Sequence, residues 1–325
     1  MMERTVGIAA PANGGICDDY ACDDRMLFSE ITWKEMPRIS EVLGYCRTRT
    51  CDFTIGGIYM WVRWFGYRCA FVDGTLFISG MAEDDDGLWP AFSMPVGAMP
   101  PHDAVRRLAD CCRRESIRPV FSAVPEEYVA TVCSVLGPQA RVRELVDWAD
   151  YLYDATDLAV LRGKRFNKKR NHVNRFKADN PGWILEDLTP EIVPEAVLFL
   201  SGRRPQGDEE QDMAVYEHCR CVDVLEDWRH YPFEGVVLRG GCGDIVALAV
   251  AEVLGDTAFI HIEKANHEVA GAGEAINCFF AAHLLDRHSG IKFINREEDV
   301  GDESLRYAKE SYHPLTLLRK FNIYG

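Results

Sequence analysis

One order of elements occurs twice along this chain. In the first half, a helical stretch at 36–45 leads through the aromatic segment 58–64 to two β-runs, 67–72 and 75–79. Asp73-Gly74 between them is a strong hairpin signal. A strand near 91–94, a helix over 102–116, a strand over 118–124, a helix over 125–136 with proline in its first turn, and the aromatic, strand-like segment 142–153 follow. The second half offers a short strand at 183–185 and helices at 190–200 and 209–228. Strands at 235–239, 245–253 and 257–263 then form a meander whose first turn is Gly240-Gly241-Cys242-Gly243-Asp244. Helix 272–288, strand 292–295, helix 303–309 and a last strand at 315–321 complete it. A meander, a helix and returning strands, met twice, describe a duplicated α/β (α+β) unit rather than one large sheet. The expected division is a poorly ordered arm at 1–27, one half at 28–155 and a second at 156–325.

Composition narrows the function classes. No apolar run approaches the roughly 18 to 20 residues of a spanning helix, and the start has too short an apolar core for a signal peptide, so a cytoplasmic protein is expected. The twelve cysteines are scattered in a chain too large to need disulfide staples, and read as mostly free, buried thiols. The nearest approaches to metal-ligand spacing are His218 with Cys219 and Cys221, Cys111 with Cys112, and Cys17 with Cys22; none repeats as a CxxC pair, and no metal is expected. His267-Glu268 begins like a zinc-protease motif, but Gly271 stands where the second histidine belongs. A formal charge of −15 opposes general attraction to polyanions, so any anion site must be local. The acidic stretch 83–87 reads as an exposed turn.

Three segments can carry chemistry. In 161–177, Arg162, Lys164, Arg165, Lys168, Lys169, Arg170, Arg175 and Lys177 crowd together with no acid among them. On a helix Phe166, Val173 and Phe176 share an apolar stripe, and the cations form an array suited to a phosphate backbone or a polyphosphate. The bland alternative is a solvated basic helix paired with acidic loops of its own chain. In 258–277, Phe259, His261 and Glu263 lie on one strand face, and Asn266, Gly271 and Gly273 fall where a helix begins. Backbone N–H groups there can hold an anion or a developing oxyanion; close packing of helix on strand explains the glycines as well. In 293–314, an apolar strand ending at Asn295 runs into Glu297, Glu298 and Asp299, and a short helix sets Arg306 and Lys309 on one face ahead of Tyr312. Helix capping by Asp302 or Asp299 accounts for part of that cluster.

The three stretches LRGKRFNKKRNHVNRF, IHIEKANHEVAGAGEAIN and FINREEDVGDESLRYAKESYHP, in this order, resemble the phosphatidylglycerol lysyltransferase C-terminal domain family over about residues 28–325. The resemblance implies a tandem GNAT-like acyltransferase fold and transfer of an aminoacyl group from aminoacyl-tRNA to a hydroxyl or amine acceptor, lipid or other small molecule. It associates functional acids and bases with the last motif, here Asp299, Arg306, Lys309 and Tyr312. The aminoacyl-lipid synthases usually carry a large transmembrane region that this sequence lacks, so at most peripheral membrane contact is expected. Under that reading Asp299 or Glu298 takes the aminoacyl ammonium or acts as base, Arg306 and Lys309 face an oxyanion or phosphate, and Tyr312 donates a proton. His261, Glu263, Asn266, Gly271, Gly273 and Asn295 line the substrate. Lys164, Arg165, Lys168, Lys169, Arg170 and Arg175 hold tRNA phosphates. Direct transfer requires no cofactor and no covalent intermediate. The alternatives are an acyl-CoA-dependent N-acyltransferase, which asks for a fuller glycine-rich pyrophosphate cradle, and a silent RNA- or anion-binding module.

Overall fold

The computed structural model describes residues 26–84 and 87–325. Most of the expected N-terminal arm, Cys17 and Cys22, and part of the acidic turn lie outside the described residues. The hairpin expected at Asp73-Gly74 forms: both residues take positive φ, 49° and 70°, as a type I′ turn demands, and Val72 pairs with Thr75.

The first sheet runs Ser29–Glu30, Arg68–Val72, Thr75–Asp84, Gly87–Phe92, Val120–Pro125, Lys320–Tyr324, Arg141–Glu144, with Val96–Gly97 also on Thr75–Asp84. The second runs Thr316–Leu318, Asp150–Asp154, Phe293–Asn295, Thr257–Ala265, Ile245–Leu254, Glu234–Arg239, Ile184–Asp187. In each, an antiparallel meander is followed by a helix, Pro101–Arg114 or Ala272–Arg287, and then by a strand parallel to the meander's last, Val120–Pro125 or Phe293–Asn295.

The two halves then trade strands across the expected division at 155/156. The segment 142–153, expected as one strand, is two: Arg141–Glu144 stays at the edge of the first sheet, while Asp150–Asp154 crosses to pair with Phe293–Asn295 in the second. The last expected strand also divides. Thr316–Leu318 stays at the edge of the second sheet, and Lys320–Tyr324 crosses to lie between Val120–Pro125 and Arg141–Glu144 in the first. An apolar run shows that strands exist but not which sheet completes them, because pairing partners are set by tertiary contacts.

Apolar clusters fill three layers. Helix Met36–Leu43 and Pro101–Arg114 pack on the first sheet. Ala155–Val160, Asn167–Asp179 and Ala272–Arg287 cover one face of the second, and Val193–Ser201 with Met213–Glu226 the other. The second sheet's central strands are thus covered on both faces, which explains why Ile245–Leu254 reads IVALAVAEVL without polar alternation.

Candidate active site

The exchanged strands begin with Asp150 and Lys320, and these two side chains meet. Lys320 Nζ lies 2.6 Å from Asp150 Oδ1, and neither side chain has any exposed surface. The same ammonium is 2.5 Å from Glu298 Oε1 and 2.7 Å from Asp52 Oδ2. Asp150 Oδ2 accepts from the Cys51 amide at 2.6 Å and from Asn295 Nδ2 at 2.7 Å; Asn295 Oδ1 accepts from the Glu297 amide. Three carboxylates thus surround one ammonium, so the centre is rich in negative charge. Burial, with Glu298 and Asp52 nearby, raises the Asp150 carboxyl to about 7 against the pull of Lys320; burial likewise raises Asp52. Burial would raise Glu298 as well, but Lys320 outweighs it and holds that carboxyl low. Burial works against the Lys320 charge, and its acidic neighbours more than restore it. Cys51 Sγ, Asp52 and Glu298 are close enough to bind one metal ion, but the Lys320 ammonium already sits among them. The Cys51 thiol is pushed well up by burial and by Asp150, which leaves it unreactive.

A cavity of about 180 Å³ opens beside this centre, with Asp52 in its lining. Trp64, Phe65, Tyr67 and Trp148 wall it; Phe65 stacks on Tyr67 at 5.4 Å and meets Trp148 edge-on at 6.0 Å. Its far wall is Ser122, Ala123 and Asn322, where the register between Val120–Pro125 and the incoming strand Lys320–Tyr324 shifts. Ala123 takes φ 52° there, and its amide donates to Asn322 Oδ1. A bulge in the sheet makes the room. Trp64, Phe65 and Met81 continue into a wider, open vestibule with Arg63 and Arg204 on its rim.

Two further acids, Glu252 buried and Glu297 half-buried, flank the buried His261. The pairing of Ile245–Leu254 with Thr257–Ala265 passes from Ile262 to Ile260, so His261 is the bulged residue and its ring is turned out of the ladder. Nδ1 lies 2.7 Å from Glu297 Oε1 and Nε2 3.3 Å from Glu252 Oε2. Burial alone would lower the imidazolium's pKa; the two carboxylates outweigh it and raise it to about 9. Glu252 also accepts from the Ile55 and Gly56 amides, and a Cβ at Gly56 would fall 2.3 Å from His261 Nε2.

The remaining expected residues divide among tasks. Asp299, although buried, is held down to about 2: burial opposes its charge, but Arg306 and the Tyr151 hydroxyl at 2.6 Å prevail. Its carboxylate is spent on Arg306, which also reaches Asp147, and so low a pKa makes a poor base. Asp302 caps helix Glu303–Glu310. Lys309 Nζ donates to the carbonyls of Arg296 and Glu298, and so fixes the loop that carries Glu298. Tyr312 is buried against Lys169 at 4.0 Å and Arg296 at 4.9 Å. Glu263 pairs with Arg296 and accepts from Asn277. Asn266 closes a turn through the Glu268 amide. Gly271 takes φ 78°, and a Cβ there would lie 2.3 Å from the His172 carbonyl oxygen; helix Asn167–Asp179 fills the space over that turn. Gly273 meets only Ala265, at 3.9 Å. On the basic helix Phe166, Val173 and Phe176 are buried as expected. Arg165 pairs with Asp157, Lys169 with Glu274 and Arg175 with Asp179, while Arg170 binds the carbonyls of Leu161 and Gly163. Arg162, Lys164 and Lys168 are exposed and form no ion pair among the described residues.

Of the residues found here, Glu298, Asn295 and His261 are among the sequence candidates, Glu297 is named in the acidic cluster without a role, and Asp52, Asp150, Lys320 and Glu252 are not. Three of these stand out once sought: Glu252 in AVAEV, Asp150 in the aromatic run ADYLY and Lys320 in RKFNIY are single charges inside segments otherwise fit for a core.

The family model of the phosphatidylglycerol lysyltransferase C-terminal domain matches residues 45–324. The chain belongs to this family. No curated protein matches it. Among solved structures, a conserved protein of unknown function from Bacteroides thetaiotaomicron is 28% identical, with a TM-score of 0.82 over 92% of this chain and 99% of that one. The C-terminal domain of a candidate lysylphosphatidylglycerol synthetase from Agrobacterium fabrum is 16% identical at TM-score 0.62, covering 90% and 91%. L-PGS from Bacillus licheniformis is 15% identical at TM-score 0.56, covering 86% and 94%. These last two share the fold. The two mixed sheets are tandem GNAT-like halves, and the family is one of transferases. Among the described residues no helix is long and apolar enough to cross a membrane.

Proposed function

We propose that this protein moves an aminoacyl group from aminoacyl-tRNA directly to a hydroxyl or amine acceptor, lipid or small molecule, in the cytoplasm. The acceptor oxygen or nitrogen bonds to the ester carbonyl carbon, the bond from that carbon to the ribose oxygen breaks, and the acceptor's proton ends on the ribose oxygen. One observation favours tRNA over coenzyme A as donor. At Gly271, in the turn where a pyrophosphate cradle would be sought, the space is taken by the His172 carbonyl of helix Asn167–Asp179, while the same helix and the turn before it leave Arg162, Lys164 and Lys168 unpaired toward solvent among the described residues. Helix Asn167–Asp179 also has no acid in its first turn, so its positive end adds to theirs.

Purified protein is incubated with labelled aminoacyl-tRNA or labelled acetyl-CoA and a cell extract. Loss of ester label from tRNA with its appearance on an acceptor supports the proposal; exclusive consumption of acetyl-CoA overturns it. Reversing Lys164 and Lys168 to glutamate should weaken tRNA binding and flatten its dependence on salt by about two phosphate contacts. An unchanged salt slope would remove the basic segment from the donor site.

A further inference from the structure

We infer that the aromatic cavity beside the exchanged strands is a pocket for a primary ammonium group, with Asp52 as its acceptor and Lys320 as the residue that positions Asp52. Under the aminoacyl-transfer reading, on which the identity of the ligand rests, that group is the α-ammonium of the aminoacyl moiety.

Asp52 differs from the other acids of the centre in where its oxygens go. Oδ2 is buried 2.7 Å from Lys320 Nζ, yet out of line for a hydrogen bond. No other residue donates a hydrogen bond to Oδ1, and the side chain keeps 21% of its surface, within the lining of the cavity. Asp150 has no such opening, being saturated by Lys320, Asn295 and the Cys51 amide; Glu298 takes Lys320 and the Cys51 thiol on Oε1 and does not line the cavity. Of the three acids around Lys320, Asp52 is therefore the one that lines the cavity and can present an acceptor oxygen to a ligand there.

The surroundings select the ligand's charge. Three carboxyls against one ammonium leave the centre short of positive charge, which a proton taken up at Asp150 or Asp52 supplies in part and a bound cation would supply in its place. An anion or a second carboxylate would add to the excess. The walls answer the same way: Trp64, Phe65, Tyr67 and Trp148 offer π-faces that attract an ammonium and apolar surface for whatever it is attached to. Ser93, Ser122 and Asn322 supply neutral polar atoms around it. The small residues Gly80, Ala82, Ala91 and Ala123 keep the interior open; a Cβ on Gly80 would fall 2.7 Å from the Tyr67 ring.

Lys320 acts on the ligand through Asp52. Held at 2.5 to 2.7 Å from three carboxylates, it engages Oδ2 and so fixes the Asp52 rotamer.

The test needs no tRNA. Wild-type protein is titrated with alaninamide, phenylalaninamide and lysinamide, stable mimics of an aminoacyl ester, and with their N-acetyl counterparts, by isothermal calorimetry and by intrinsic tryptophan fluorescence, to which Trp64 and Trp148 in the cavity wall contribute. Free amides should bind at least about tenfold more tightly than the acetylated ones, the scale of one charge-assisted hydrogen bond. Asp52→Asn should lose about the same factor. Equal binding of acetylated and free amides, undiminished binding by Asp52→Asn, or no response to any amide would overturn the assignment. The comparison of acetylated with free amides uses unaltered protein, so it decides the matter even where Asp52→Asn fails to fold. Amide binding through Asp52 without turnover of aminoacyl-tRNA would refute the donor reading alone; turnover without Asp52-dependent amide binding would refute this pocket alone.

Discussion

Replacing Lys320 with methionine removes the one cation that, among the described residues, pairs with Asp52, Asp150 and Glu298 together. The side chain is fully buried and touches all three at 2.5 to 2.7 Å, so its loss leaves uncompensated charge in the interior. Breaking a buried pair in this way costs about 3–5 kcal/mol. At roughly 2–4 °C per kcal/mol for a chain of this order, the melting temperature should fall by about 6–20 °C. The deficit must depend on pH. With the cation gone, the carboxyls titrate higher in the folded than in the unfolded chain, and Asp150 already stands at about 7 with the cation present. Folding then takes up protons between the unfolded value of about 4 and the raised value, so stability rises as pH falls through that window. Thermal melts followed by circular dichroism at pH near 5 and near 8 should show the variant much weakened at the higher pH and partly restored at the lower. A loss below about 2 °C at pH 8, or a deficit that grows on acidification, would refute the account of the centre as an under-neutralised cluster.

Three further outcomes are expected. His261, raised to about 9 by Glu252 and Glu297 against burial, stabilises the fold fully below its unfolded value of about 6.5 and loses that contribution as pH climbs through about 9; urea midpoints measured from pH 7 to 10 should fall, and His261→Gln should flatten the slope. Gly271→Ala should cost roughly 2–4 kcal/mol in the same assay, because its Cβ meets the His172 carbonyl at 2.3 Å and φ is 78°. Asp299, depressed to about 2, contributes stability present above pH about 4 and lost as pH falls toward 2; acid titrations of Asp299→Asn should converge with wild type there, and a constant offset would contradict the pairing with Arg306.

What could be read from the residues follows the range of the forces involved. Asp73-Gly74, the Phe166–Val173–Phe176 stripe and the Asp302 cap are local, and each stands where the sequence puts it. The strand exchange is not local: 142–153 and 315–321 look continuous because nothing in their own side chains says which sheet will complete each strand. For the same reason the reading chose Asp299, dense with acidic neighbours, over Asp52, Asp150 and Lys320, which lie far apart in sequence and meet only once the strands have crossed. The glycines at 271 and 273 left anion binding and close packing open; the His172 carbonyl over Gly271 speaks for packing.

The crossing also orders events during synthesis. When every other described strand has left the ribosome, the first sheet still has a vacant lane between Val120–Pro125 and Arg141–Glu144, and only Lys320–Tyr324 can occupy it. Because the residue that starts this strand is also the cation at the heart of the site, a nascent chain short of residue 320 holds three acids without the ammonium they share in the finished protein. Completion of the first sheet and completion of the charged centre therefore arrive in one step, and a chain stalled before that step lacks both.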